Sequence, residues 1–156
     1  MNLKKRKTGE LFRAEIKRLK REQFMLIESD KRFGFDWSKE KDFDVYQINL
    51  VKGEEVLGLI SLEEISKELR IFIRLIEVSK ENQGADKEYD NVAGCLISYA
   101  CMIAFERDYE GFVSLIPKTE LIGHYKDNYG FTEAGTHMYL EGKKAEVLIE
   151  KYLKNG

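Results

Sequence analysis

Proline occurs once in these 156 residues, cysteine twice and histidine twice, and no apolar run approaches 18 residues. Each scarcity excludes something. One proline among 35% charged residues is not a collagen-like or low-complexity composition. Without a long apolar run there is no conventional membrane-spanning helix, and no membrane partner is expected. The opening Met1-Asn-Leu-Lys-Lys-Arg-Lys7 is basic with no apolar stretch behind it, which reads against a secretory signal. Cys95 and Cys101 fall in one apolar helical segment, where six residues of helix separate them by roughly 9 Å, beyond disulfide reach. No Cys/His cluster offers a zinc site, so no metal is expected, and a reduced, cytoplasmic setting fits.

What is present is a 43% apolar chain, enough for one domain that buries roughly two-thirds of its unfolded surface. The net charge of −2 is uneven: residues 1–24 hold nine Lys/Arg and three Glu, a local +6, leaving −8 on the rest. Such a segment can meet nucleic acid or an acidic partner, or it can be a solvated helix face with a frayed end. Residues 1–7, which show no apolar periodicity, are read as a basic tail.

Thr8 is expected to cap a helix over about Gly9–Gln23, because Phe12, Ile16 and Leu19 recur at i, i+4, i+7. Residues 24–42 give short aromatic pieces without a clear period. Asp44–Val51 and Val56–Leu62 then read as a hairpin turning at Lys52-Gly-Glu-Glu55, and Leu69–Ser79 as the longest strand. A polar loop, Lys80–Asp90, leads into an apolar helix, Asn91–Arg107. Phe112–Ile116 is a short strand stopped by Pro117, and Thr119 caps a helix to about Asn128. Phe131–Leu140 is a strand region, and an amphipathic helix follows Gly142 to Leu153. The order implies an α/β (α+β) fold with a mixed, mostly antiparallel sheet. The helix over 91–107 supplies the crossover that a parallel pair needs.

Three features carry chemistry. The first turn of the 91–107 helix, Asn91-Val-Ala-Gly-Cys95, is small and mostly uncharged. A helix start leaves about four amides unpaired and partly positive, so Asn91, Val92, Ala93, Gly94 and Cys95 can hold a phosphate; small residues there serve helix–sheet packing equally well. Glu77, on strict alternation, shares a face with Leu69, Ile71, Ile73 and Leu75, where desolvation would make it a base; a bulge or an exposed strand end would turn it outward. Tyr125 follows Leu121 by one helical turn, a spacing that suits core packing as well as catalysis. His124, beside it, is read as pointing elsewhere.

Residues 43–140 resemble the GNAT family of acetyl-coenzyme A-dependent N-acetyltransferases. The element order matches. Asn91-Val-Ala-Gly-Cys-Leu-Ile-Ser-Tyr-Ala100 resembles the family's Gly-x-Gly/Ala-x-x-Leu-Leu-x-x-Ala helix start. Lys118-Thr-Glu-Leu-Ile-Gly-His-Tyr125 with Tyr129-Gly-Phe131 resembles its Asn-x-x-Ala-x-x-Phe-Tyr and Gly-Phe ending. In the phosphate loop, Glu88-Tyr-Asp-Asn-Val-Ala93 keeps only the last position of the family pattern, with Lys80 or Lys87 available as a cation. One extra residue separates Tyr125 from Gly130. The resemblance implies acetyl transfer from acetyl-coenzyme A to an amine by direct attack. Ile76, Val78 and Lys118 would join residues 91–95 in holding the coenzyme, with Glu77 as base and Tyr125 as acid. It also leaves open a homodimer, and a catalytically silent module of this shape that binds nucleic acid or an acidic protein through the basic N-terminus.

Overall fold

The computed structural model describes residues 1–154. Its first segment is sheet rather than helix. Asn2–Lys5 (β1) and Leu11–Arg18 (β2) form an antiparallel hairpin. Thr8 lies in its turn, where Oγ1 accepts from the Glu10 amide at 3.2 Å, instead of capping a helix. Residues 1–7 are likewise not a tail: Leu3 is fully buried, and Phe12 and Ile16 pack on the same core. Burying Leu3 and completing a backbone ladder outweigh the solvation of the neighbouring lysines.

A short helix, Gln23–Ser29 (α1), and a 3-10 turn, Trp37–Glu40, follow. Asp44–Leu50 (β3), Val56–Ile65 (β4) and Arg70–Val78 (β5) form the expected antiparallel centre. The polar loop holds a 3-10 turn at Lys80–Asn82 and a two-residue strand, Tyr89–Asp90 (β6), which pairs with β1. Val92–Glu106 (α2) crosses over to Val113–Leu115 (β7), which lies parallel to β5. Lys118 precedes a 3-10 turn with no side-chain cap, so Thr119 is not the cap of Ile122–Tyr129 (α3). The region after Phe131 is a hairpin, Thr132–Ala134 (β8) and His137–Leu140 (β9), followed by Gly142–Leu148 (α4) and wider π turns over Ile149–Lys154. Among the described residues the sheet has nine strands in the order β6-β1-β2-β3-β4-β5-β7-β9-β8.

Two clusters sandwich this sheet. On one face Ile48, Ile60, Leu62, Ile71 and Ile73 meet Val92, Leu96 and Ala100 of α2. On the other, Val45 and Leu59 are covered by Phe24 and Ile27 of α1 and by Phe33 and Trp37. Glycine sets the close approach of α2 to β4: a Cβ on Gly58 would come within 2.9 Å of Val92 Cγ1. The second side of α2 is covered by the C-terminal segment, so the helix is buried nearly all round. No helix among the described residues is long and apolar enough to cross a membrane.

Candidate active site

The site begins where a pair of strands separates. β5 and β7 pair over Ile71–Ile73 and Val113–Leu115. Beyond that, Ser61 faces Leu75 while Leu62 faces Ile73, so Arg74 is a bulge residue. Pro117, two residues past β7, has no amide to extend the ladder. The strands diverge into a cleft of about 750 Å³.

Each wall comes from one element. β5 contributes Ile76, Glu77 and Val78; the following loop contributes Asn82, Gln83 and Lys87. Asn91, Val92 and Ala93 close one end at the start of α2. From α3 and the turn before it come Leu121, His124, Tyr125, Asn128 and Tyr129, one face at i, i+3, i+4, i+7, i+8. Phe35, Lys151 and Tyr152 also line it. A wider groove of about 880 Å³ along α4 is lined mainly by Lys, Glu and aliphatic side chains and lies against none of these residues except Lys151.

At the α2 start, Asn91 is left-handed (φ 72°, ψ 14°), which asparagine tolerates, and it turns the chain from β6 into the helix. The amides of Val92, Ala93 and Gly94 precede the first intrahelical bond, whereas the Cys95 amide donates to Asn91 O at 3.0 Å. Cys95 therefore offers no free amide; its Sγ faces Tyr152 O at 3.7 Å. Burial pushes both thiols up to about 12, so neither cysteine is a nucleophile at neutral pH. Gly94 lies against the Tyr152 ring, so its side-chain position is closed to a ligand. Lys118 is outside the lining; its Nζ stands 5.7 Å from the Phe35 ring centre at the cleft's rim. Lys87 and Lys151 are the lysines in the cleft, and Lys80 is not among them.

The bulge at Arg74 decides the place of Glu77. It inverts the alternation, so Glu77 does not share a face with Ile71 and Ile73; Leu75 packs on the α1 side, and Ile76 and Val78 on the α2 side. Glu77 is nonetheless buried. Its carboxylate accepts from Gly34 N at 2.5 Å, Phe35 N at 3.2 Å and Trp37 Nε1 at 2.8 Å. The same segment is anchored by Arg32, which donates to Asp30 (2.8 Å), Glu55 (3.0 Å) and Glu81 (2.6 Å). The Val78 carbonyl already accepts from Gln83 Nε2 at 2.6 Å.

Tyr125 packs edge-on against Phe131, with ring centres 5.6 Å apart. Burial raises its phenol above the usual value, and it raises Tyr129 further. Both therefore stay protonated at neutral pH. Sequence reasoning missed Phe35, His124, Asn128, Tyr129 and Tyr152. The α3 pattern could have given three of them, since it puts His124, Asn128 and Tyr129 on the face of Tyr125. His124 Nδ1 lies 2.8 Å from Asn128 Nδ2, which orders both at the cleft.

The sequence matches no protein-family model and no curated protein. Solved structures do match. The spermidine/spermine N-acetyltransferase SpeG of Vibrio cholerae is 16% identical with a TM-score of 0.64, over 86% of this chain and 98% of that one. Nourseothricin acetyltransferase is 20% identical with a TM-score of 0.51, over 64% and 65% of the two chains. The toxin AtaT, solved as a mutant with the C-terminus of the antitoxin AtaR and acetyl-CoA, is 14% identical with a TM-score of 0.57, over 86% and 97%. Curled, mostly antiparallel strands, one parallel pair splaying into a cleft, and a crossover helix that starts at the cleft's end give this chain the GNAT N-acetyltransferase fold, in divergent form.

Proposed function

We propose that the protein is an N-acetyltransferase that uses acetyl-coenzyme A and an amine acceptor. The observation that carries this reading is the cleft itself. It opens at the β5–β7 divergence, is lined by Val92 and Ala93 at the α2 start and by Lys87 and Lys151, and presents the half-buried, protonated Tyr125 phenol. These residues fit the coenzyme: amides of Val92 and Ala93 with Lys87 and Lys151 suit a pyrophosphate, and β5 from Ile76 to Val78 suits an extended amide-bearing arm. When bound, acetyl-coenzyme A supplies a thioester that an amine can attack directly, with the thiolate as leaving group.

Tyr125 is proposed as the acid that gives its proton to the leaving sulfur, and the proton that the attacking amine sheds passes through solvent to restore the phenol; its raised pKa keeps the proton available. For Glu77 we propose positioning. A carboxylate that already accepts three hydrogen bonds is better suited to holding Gly34–Trp37 at the cleft's mouth than to removing a proton. Phe35, delivered by that segment, forms the acceptor side. SpeG is a spermidine/spermine enzyme, and AtaT has been solved with acetyl-methionyl-tRNA, so an amine is the class these neighbours have in common. Two buried, unpaired cysteines support a reducing, cytoplasmic compartment.

Thermal unfolding with acetyl-coenzyme A tests the reading. At a hundredfold excess over the dissociation constant, the wild type should gain about 2.7 kcal/mol. Ala93→Asp sets a carboxylate beside the proposed pyrophosphate and should lose that gain while unfolding normally without ligand. No gain for the wild type, together with salt-sensitive retention on nucleic acid, would favour the binding-module alternative.

A further inference from the structure

The approach to the α2 start carries the wrong charge for an anion. Glu88 and Asp90 stand just ahead of Val92, and Asp90 is only partly exposed. A carboxylate there opposes whatever negative group the helix amides would hold.

The offset comes from the far end of the sequence. β1 pairs with β6 in the register Lys4↔Asp90 and Lys5↔Tyr89. The next residue, Arg6, grips the loop in three ways. Its amide donates to Glu88 O at 2.9 Å, its Nη1 donates to Ala85 O at 2.6 Å, and its Nε stands 3.8 Å from Asp90 Oδ1. The loop's inner side is fixed separately: the Glu88 amide donates to Glu81 O and the Tyr89 amide to Asn82 Oδ1, both at 2.8 Å. Arg6 thus supplies both the outer support and the cation next to Asp90.

We propose that Arg6 is a positioning residue of the coenzyme site, cancelling the Asp90 charge and holding loop 84–90 so that the α2 amides can accept a pyrophosphate. This rests on the N-acetyltransferase reading above. A guanidinium suits the task, since one planar fork can bond a carbonyl and face a carboxylate at once. The segment that sequence patterning assigns to a tail becomes part of the site.

Calorimetric titration of coenzyme A into the wild type, Arg6→Gln, Asp90→Asn and the double variant tests this, with thermal midpoints recorded for each. Arg6→Gln should weaken binding about fivefold, the effect of one uncancelled charge near the site. Asp90→Asn should bind at least as tightly as the wild type, and the double variant should return to within about twofold of it. Should Arg6→Gln fail to fold, Arg6→Lys keeps the charge and is expected near wild-type affinity. Wild-type affinity in Arg6→Gln would overturn the proposal. So would a double variant as weak as Arg6→Gln, since Arg6 would then be a mechanical support alone. A wild type that binds no coenzyme A would instead remove the N-acetyltransferase reading, and this inference with it.

Discussion

The Trp37 indole donates to the Glu77 carboxylate at 2.8 Å, joining the segment after α1 to the end of β5. Gly34 and Phe35 complete the clamp with their amides. Glu77→Gln sets an amide nitrogen against donors and leaves at least one buried N–H unpaired, at a cost of about 1–3 kcal/mol. Urea unfolding should show that loss, and the Michaelis constant for the acceptor should rise because Phe35 is no longer held. Unchanged stability with loss of the acidic, low-pH limb of a pH–rate profile would make Glu77 a base instead.

Tyr125→Phe should lower turnover on the order of 10²-fold while leaving coenzyme affinity and unfolding nearly unchanged, because phenylalanine keeps the ring that packs on Phe131. Steady-state assays with an identified amine measure this. Tyr129 lines the same cleft, and Tyr129→Phe is the control. If only that variant loses turnover, the acid lies one helical turn further along α3.

Removing residues 1–7 should destabilise the fold, since it deletes β1 and the fully buried Leu3. The single change Leu3→Ala should cost about 2–5 kcal/mol in urea unfolding. A truncated chain with wild-type stability would mean that β1 is dispensable.

Arg32 ties acid stability to the same region. Its hydrogen bond to Asp30 is the main reason that the Asp30 carboxyl is held below the usual range. Burial raises Glu81, but hydrogen bonds from its own backbone and from Arg32 outweigh that and lower it. Both groups are depressed in the fold, so the stability they contribute is present above the ordinary carboxylate pKa. It is lost as pH falls below about 4. Arg32→Met should flatten the dependence of the unfolding midpoint between about pH 5 and 3. An unchanged slope would assign acid unfolding to other carboxylates.

The central sheet, the crossover helix and the parallel pair were legible because each has one dominant period. β2 was not. Phe12 and Ile16 are four apart, which satisfies both a helical turn and strand alternation; buried Ala14 between them is the mark of a strand, and it is small enough to be overlooked. Leu19 belongs to the other cluster, so including it lent the helix false support. In the site, Ile76, Val78, Asn91–Ala93 and Tyr125 follow from chain order, and all line the cleft. The facing of Glu77 did not follow, because a one-residue bulge at Arg74 inverts every later side chain and leaves no signature in composition. Arg6 was out of reach because its partners lie 79 to 84 positions away.

The start of α2 is gripped by segments far from it on both sides in sequence, by β1 through β6 and by Tyr152 against Gly94. This imposes an order on biosynthesis. The central sheet and α2 can pair while later residues are still being translated, but Tyr152 reaches its seat on Gly94 only after residues 95–151 have been made. Until then the first turn of α2 has no cover on that side, and long-range closures of this kind are slow. A nascent chain therefore acquires its scaffold before its cleft.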